Sequence, residues 1–202
     1  MMRTVTPRQT AADITARLLT SIFAPAHLVI GLLLLVGAAS RPSAVRGLAW
    51  GVLAALLIGV APYAWVLLAV RRGRFASRHI PERAQRLLPL GVAAGCAAAS
   101  VAVMAILGAP RQLIALLLAM LAGLAVTAAI TTRWKISLHT AVAGGTATIL
   151  IIVFGPALLS AAILVVGIGW SRVHARDHTI AQVILGGLLG ATIAGAVFIP
   201  LR

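Results

Sequence analysis

Six runs without Asp, Glu, Lys or Arg (18–39, 47–70, 88–107, 113–131, 138–170 and 179–199) constrain this chain more than any other feature. The shortest, with 19 residues, already makes a helix of ~28 Å at 1.5 Å per residue. That is close to the ~30 Å hydrocarbon core of a bilayer. Lipid offers no partner for an exposed backbone N–H or C=O, so such runs must close their hydrogen bonds internally, as helices. The expected fold is therefore all-α, a polytopic transmembrane helix bundle, and the expected location is the cell membrane, as a multi-pass protein in contact with membrane lipids.

Composition agrees. A chain that is 61% hydrophobic and 10% charged, with a mean hydropathy of +1.08, cannot clothe a soluble domain in polar surface. Its net charge of +14 would suit nucleic acid, but aromatics are only 4% and the basic residues sit in short gaps between apolar runs instead of forming one face, so nucleic acid is not expected as a partner. Cys96 is the lone cysteine and can form no intrachain disulfide; inside an apolar run it reads as a small core residue.

Residues 1–17, with Arg3, Arg8, Asp13 and Arg17, form a polar lead-in suited to an interfacial helix, and the 22-residue run behind it is too long for a signal-peptide core. Residues 18–70 hold two spans, with Pro25 and His27 interrupting the first and His27 reading as a helix-packing residue. Residues 71–202 hold the rest. Gly108-Ala109-Pro110-Arg111 predicts a tight turn and a helical hairpin. The 33 residues of 138–170 would make one helix of ~50 Å, so Gly155-Pro156 is expected to fold them into two short spans. The count is seven spans, or six if that break is only a kink or one segment is re-entrant. Gly47/Gly51, Gly91/Gly95 and Gly186/Gly190 are spaced for close helix packing in lipid.

With seven spans, the gaps at 71–87, 132–137 and 171–178 fall on one membrane face. They bring Arg71, Arg72, Arg74, Arg78, His79, Arg83 and Arg86 together with Arg133, Lys135, Ser137 and His139, and with Arg172, His174, Arg176, Asp177 and His178. Arg71, Arg72 and Arg74, at the end of a span, are most simply topology determinants. A pocket of guanidinium and imidazole groups suits a dense anion such as phosphate, to which Arg offers paired donors. The chain has only Asp13, Glu82 and Asp177 as carboxylates, which cannot build a paired-aspartate magnesium site, so no metal or cofactor is expected. With the N-terminus included, this face carries thirteen Lys and Arg against four on the other, which by the positive-inside rule turns the pocket to the cytoplasm.

These residues resemble the type 2 phosphatidic acid phosphatase (PAP2) superfamily of membrane lipid phosphatases, in a divergent form. The family's third motif, Ser-Arg, five residues, His, three residues, Asp, is met by Ser171-Arg172 and His178, with Gln182 where the family has Asp. Its second motif, Pro-Ser-Gly-His, is met in part by Ile136-Ser137-Leu138-His139. Its first motif, Lys, six residues, Arg-Pro, is met worst, by His79 or, with one extra residue, Arg78, ahead of Arg86 and Leu87. The resemblance spans 71 to 182 and implies a PAP2-like core, with 71–202 as the catalytic region.

It also implies metal-free, two-step phosphoryl transfer from a lipid phosphate, a polyprenyl or glycerolipid phosphate or pyrophosphate. His178 would be the nucleophile and His139 the acid; Arg172, Arg86 and Arg78 or His79 would hold the phosphate oxygens, with Ser137, Ser171 and Lys135 as further binding groups. Most relatives act on the outer membrane face, opposite to the charge count. Gln182 can accept the proton of the nucleophile's other nitrogen but brings no negative charge, which predicts a weaker nucleophile. Asp177 either substitutes for the missing aspartate or caps the last helix. His174 either contacts headgroups or acts directly. The alternative function is a non-catalytic protein that kept the anion pocket and binds or transports a lipid phosphate.

Overall fold

The computed structural model describes residues 9–60, 64, 65, 68, 71, 72 and 83–202, and of residues 60 and 83–90 the backbone alone. Every regular element among them is helical.

Helix α1, Ala11–Ile22, starts from a reciprocal capping box: Thr10 Oγ1 accepts from the Asp13 N–H, and the Asp13 carboxylate accepts from the Thr10 N–H. The polar lead-in thus continues without interruption into the first apolar run, which is not one straight helix. Pro25 lacks an N–H and crowds the residue before it, so the helix stops and α2, Pro25–Ala39, sets off at 47° to α1. His27 fills the break: its Nδ1 lies 3.1 Å from the Ser21 and Ile22 carbonyls freed at the end of α1, so it is a structural cap.

Helix α3, Ala44–Ala55, runs on into a π-helical turn, Leu56–Val60. It packs on α2 backbone to backbone. A Cβ at Gly51 would stand 2.6 Å from the Leu33 carbonyl oxygen, and one at Gly47 would overlap that of Gly37.

Helices α4, Arg83–Ile106, and α5, Arg111–Thr131, form the expected hairpin across Gly108, whose φ of +73° suits glycine. Arg83 and Arg86 fall inside α4, so the polar loop is shorter than the sequence suggested. Among the described residues, Gly91 and Gly95 have nothing within 4 Å of an added Cβ, unlike the close packing expected of them; Cys96 is only partly buried.

Helix α6, Leu138–Phe154, ends at Gly155 with φ +93°; a 3-10 turn, Pro156–Ser160, leads into α7, Ala161–His174, and α8 is Ile180–Leu201. The long apolar run therefore breaks at Gly155-Pro156, as its composition indicated.

Among the described residues, three helical segments are long and apolar enough to cross a membrane: Arg111–Thr131, Pro156–His174 and Ile180–Leu201, of 21, 19 and 22 residues. The bent pair α1 and α2 makes a fourth if it acts as one span. Ala44–Gly59, Gly91–Ile106 and Leu138–Phe154 are shorter apolar helices.

From α2 onward the helices alternate in direction, and hydrogen bonds tie both ends of the bundle. At one end, Arg41 donates to the Gly108 carbonyl (3.3 Å), Arg111 to that of Leu201 (3.0 Å) and Arg202 to that of Ile152 (3.1 Å). These cations sit on carbonyls at helix C-terminal ends, where the macrodipole is negative. The tightest core lies towards the same end, around the fully buried Leu33, Val36, Met104, Leu113, Leu117 and Phe198.

Candidate active site

At the other end, the packing of α6 on α8 decides what can meet. Gly144, Gly186 and Gly190 put the two backbones in contact: a Cβ at Gly186 would stand 2.5 Å from Thr140 Oγ1 and 2.7 Å from the Ser137 carbonyl, and one at Gly190 would overlap the Ala141 carbonyl. Side chains here would pry the helices apart. Without them, the N-termini of α6 and α8 lie side by side, joined by the Ser137 N–H and the Gln182 carbonyl (3.4 Å). Two positive dipole ends thereby converge on one spot, an arrangement that favours anions. His139 is the second residue of α6, and His178 stands one residue before the Thr179 cap of α8.

The turn between α7 and α8 is a Schellman motif. Asp177 N–H donates to the Arg172 carbonyl (3.1 Å) and Arg176 N–H to that of Val173 (2.9 Å). Arg176 takes the left-handed position, φ 57°, usually held by glycine. The reversal brings Asp177 back on Arg172, with Oδ2 2.7 Å from Nη2. Lys135, from the gap between α5 and α6, donates to the Asp177 carbonyl at 2.6 Å. Two of the three polar clusters expected to meet are thus in contact.

Gln182 has two tasks. Its Oε1 accepts from the Thr179 N–H (3.2 Å), completing a capping box in which Thr179 Oγ1 accepts from the Gln182 N–H (3.3 Å). The same oxygen lies 3.0 Å from His178 Nδ1. Because the backbone N–H demands an oxygen there, the amide cannot be flipped, and His178 must hold its proton on Nδ1 and leave Nε2 with a free lone pair. The histidine and glutamine therefore meet through capping geometry. Thr179 is the N-cap, so Asp177 does not cap α8.

His178 is half-buried, and burial is the main cause that pushes its imidazole below the usual histidine range; Lys135 and Arg172 push the same way. The Gln182 hydrogen bond and the Asp177 carboxylate oppose them. The ring is therefore neutral at neutral pH. His139 feels the charges of Arg172, His178 and Asp177, so the four share one electrostatic neighbourhood.

Other expected ligands have structural tasks. Ser137 is fully buried and accepts from the Thr140 N–H as the α6 cap; Ser171 is fully buried and donates to the Ile168 carbonyl at 2.7 Å. Neither hydroxyl is open to a phosphate. Arg78 and His79 lie outside the described residues, and Arg86 is described only by its backbone, in α4.

The N-terminal helix, which carried no motif, joins the site. Thr20 Oγ1 meets Ser171 Oγ (3.1 Å) and accepts from Arg172 Nη1 (3.4 Å); Asp13 Oδ1 lies 2.8 Å from His174 Nε2, and the His174 ring stacks on Trp170 with centroids 5.1 Å apart. A cleft of about 360 Å³ opens between α1 and α7, bordered by Asp13, Arg17, Thr20, Arg172, His174 and Asp177. The one sequence cue was Thr10-x-x-Asp13, a capping pattern that spends one of three acidic residues. Arg172 Nε is buried with no hydrogen-bond partner among the described residues. Nor do three His, Cys, Asp or Glu side chains converge on a metal-sized site among them.

No protein-family model, curated protein or solved structure matches this chain.

Proposed function

We propose that this is a membrane-embedded, metal-independent lipid phosphate phosphatase of PAP2 type, with α2 to α8 crossing the cell membrane and the site on the cytoplasmic side. The observation that carries the reading is the His178–Gln182 contact, Nδ1 to Oε1 at 3.0 Å, which assigns the ring proton to Nδ1 and leaves Nε2 unprotonated, beside two helix N-termini and Arg172. Nε2 attacks phosphorus, the bond from phosphorus to the lipid oxygen breaks, and His139 passes a proton to the departing alkoxide. Water then attacks the phosphohistidine, hands a proton to His139, and the P–N bond breaks to release phosphate. Gln182 Oε1 supports the imidazolium formed in the first step. Arg172 and the two helix N-termini hold the oxygen charge that develops on phosphorus, with Arg172 exchanging its Asp177 partner for the substrate.

The test is phosphate release from polyprenyl and glycerolipid phosphates by purified protein in nanodiscs containing a chelator. Release is expected, with an acid-labile phosphoenzyme that His178→Ala does not form. Undiminished release by His178→Ala rejects the reading.

A second reading, a non-catalytic lipid-phosphate binder or transporter, is favoured by the occupied state of Arg172, whose guanidinium already holds Asp177. Tight binding of lipid phosphates without any release would select it.

A further inference from the structure

The bundle is not packed evenly along its length. Between the tight core at the far end and the polar end with His139 and His178, an apolar cavity of about 270 Å³ runs among α2, the turn after α3, α4, α5, α6 and α8. Its wall on α5 extends from Leu116 to Thr127 and on α6 from Leu138 to Ile149. Each stretch rises eleven residues, or ~16 Å. This is about half the ~30 Å bilayer hydrocarbon, the depth of one leaflet. Leu138, at its polar end, is the chain neighbour of His139, and Leu32, Leu116 and Ile149 of the core cluster form the floor.

We infer that this cavity holds one hydrocarbon chain of a single-chain lipid phosphate, with the phosphate at the His139 end and the chain running down the interior of the bundle. The inference rests on the phosphatase reading for the identity of the headgroup. Three features select the occupant. Its walls are overwhelmingly aliphatic, so water has few partners inside. Its depth matches one leaflet, so a chain that enters keeps the depth it had in the membrane. Its volume lies below the ~300–1,000 Å³ of pockets that enclose a whole drug-sized ligand, which leaves space for one chain and not for two.

Gly123 is the residue that keeps the cavity open. It lies on α5 in the wall and, among the described residues, has nothing within 4 Å of an added Cβ, so a larger side chain there grows into the void without displacing their backbone. Among the described residues Gly95 is equally open but does not line the cavity, which makes Gly95→Leu the matched control.

The experiment measures the thermal stabilisation of protein in nanodiscs by non-hydrolysable alkyl phosphonates of rising chain length, and in parallel the rate of release from the corresponding alkyl phosphates. Each methylene buried is worth about 0.8 kcal/mol, or about fourfold in affinity, so wild type and Gly95→Leu should bind the dodecyl compound far more tightly than the butyl one. Gly123→Leu should flatten this dependence and lower the long-to-short ratio at least tenfold. An unchanged ratio in folded Gly123→Leu overturns the inference. A collapsed ratio in binding without turnover of any phosphate upholds the cavity and removes the phosphatase reading instead.

Discussion

Replacing Gln182 by Asp tests how the candidate nucleophile is held. The chain contains its own precedent for the variant. At α1 an aspartate occupies the position that Gln182 holds in α8: one Asp13 oxygen caps the Thr10 N–H at 2.9 Å while the other lies 2.8 Å from a histidine nitrogen. Asp at 182 can therefore keep the capping box and still face His178 Nδ1. It exchanges a neutral acceptor for a charged one. Neutral hydrogen bonds contribute about 0.5–1.5 kcal/mol and charge-assisted ones about 1.5–3. The imidazolium formed on attack thus gains about 1 kcal/mol, less what solvent screens at a half-buried site. At 1.36 kcal/mol per factor of ten, kcat should rise about fivefold and at most tenfold. The change also raises the pKa of His178, because a charged acceptor favours the protonated ring. Since the attacking ring must be neutral, the acid limb of the pH–rate profile moves upward with it. The assay is kcat against pH on one lipid phosphate, with the His178 ring followed by nitrogen NMR. An upward pKa shift with kcat unchanged or reduced refutes the argument that charge at position 182 limits the nucleophile.

Asp177→Asn removes the carboxylate from Arg172 and should tighten inorganic phosphate binding several-fold, read by calorimetry; weaker binding shows that Asp177 positions the guanidinium instead of competing for it. Gly190→Ala forces a methyl into the Ala141 carbonyl and should cost about 1–3 kcal/mol or more, whereas Gly95→Ala, with open space, should be neutral or stabilising by up to about 1 kcal/mol; equal melting temperatures contradict the packing argument. Arg176→Gly relieves the left-handed residue of the Schellman turn and should stabilise by about 1 kcal/mol in a denaturation measurement; a loss of stability shows that the arginine side chain outweighs its backbone strain. Because burial lowers the His178 pKa, wild-type kcat/KM should hold as pH falls through 6.5 and decline only below it; a midpoint above 6.5 contradicts the burial argument.

Much of the fold is written in local rules that need no partner. Hydropathy and length marked the helices, and Gly108, Pro25 and Gly155-Pro156 marked their breaks, because a missing N–H or a positive φ acts within one turn of chain. The candidate site was half legible. His178 and Gln182, paired by the motif, do meet, but a spacing of four does not tell a helix face from the capping box that joins them. Ser137 and Ser171 carried motif positions yet point into the fold, and a motif has no means of stating which way a helix is rotated.

By itself the sequence determined that the chain is helical, apolar and interrupted at defined points, since those properties follow from each segment's own transfer energy and backbone limits. The tertiary structure alone decided which polar groups share a site. Three glycine pairs had the same spacing. Among the described residues only Gly47/Gly51 and Gly186/Gly190 meet another backbone, and the second pair draws two helix N-termini together beside Arg172, His139 and His178. Tertiary packing also brought α1, with Asp13 and Thr20, onto α7 from more than a hundred residues away. Such contacts depend on the rotation and crossing of packed helices, a sum over the whole bundle that no local pattern contains.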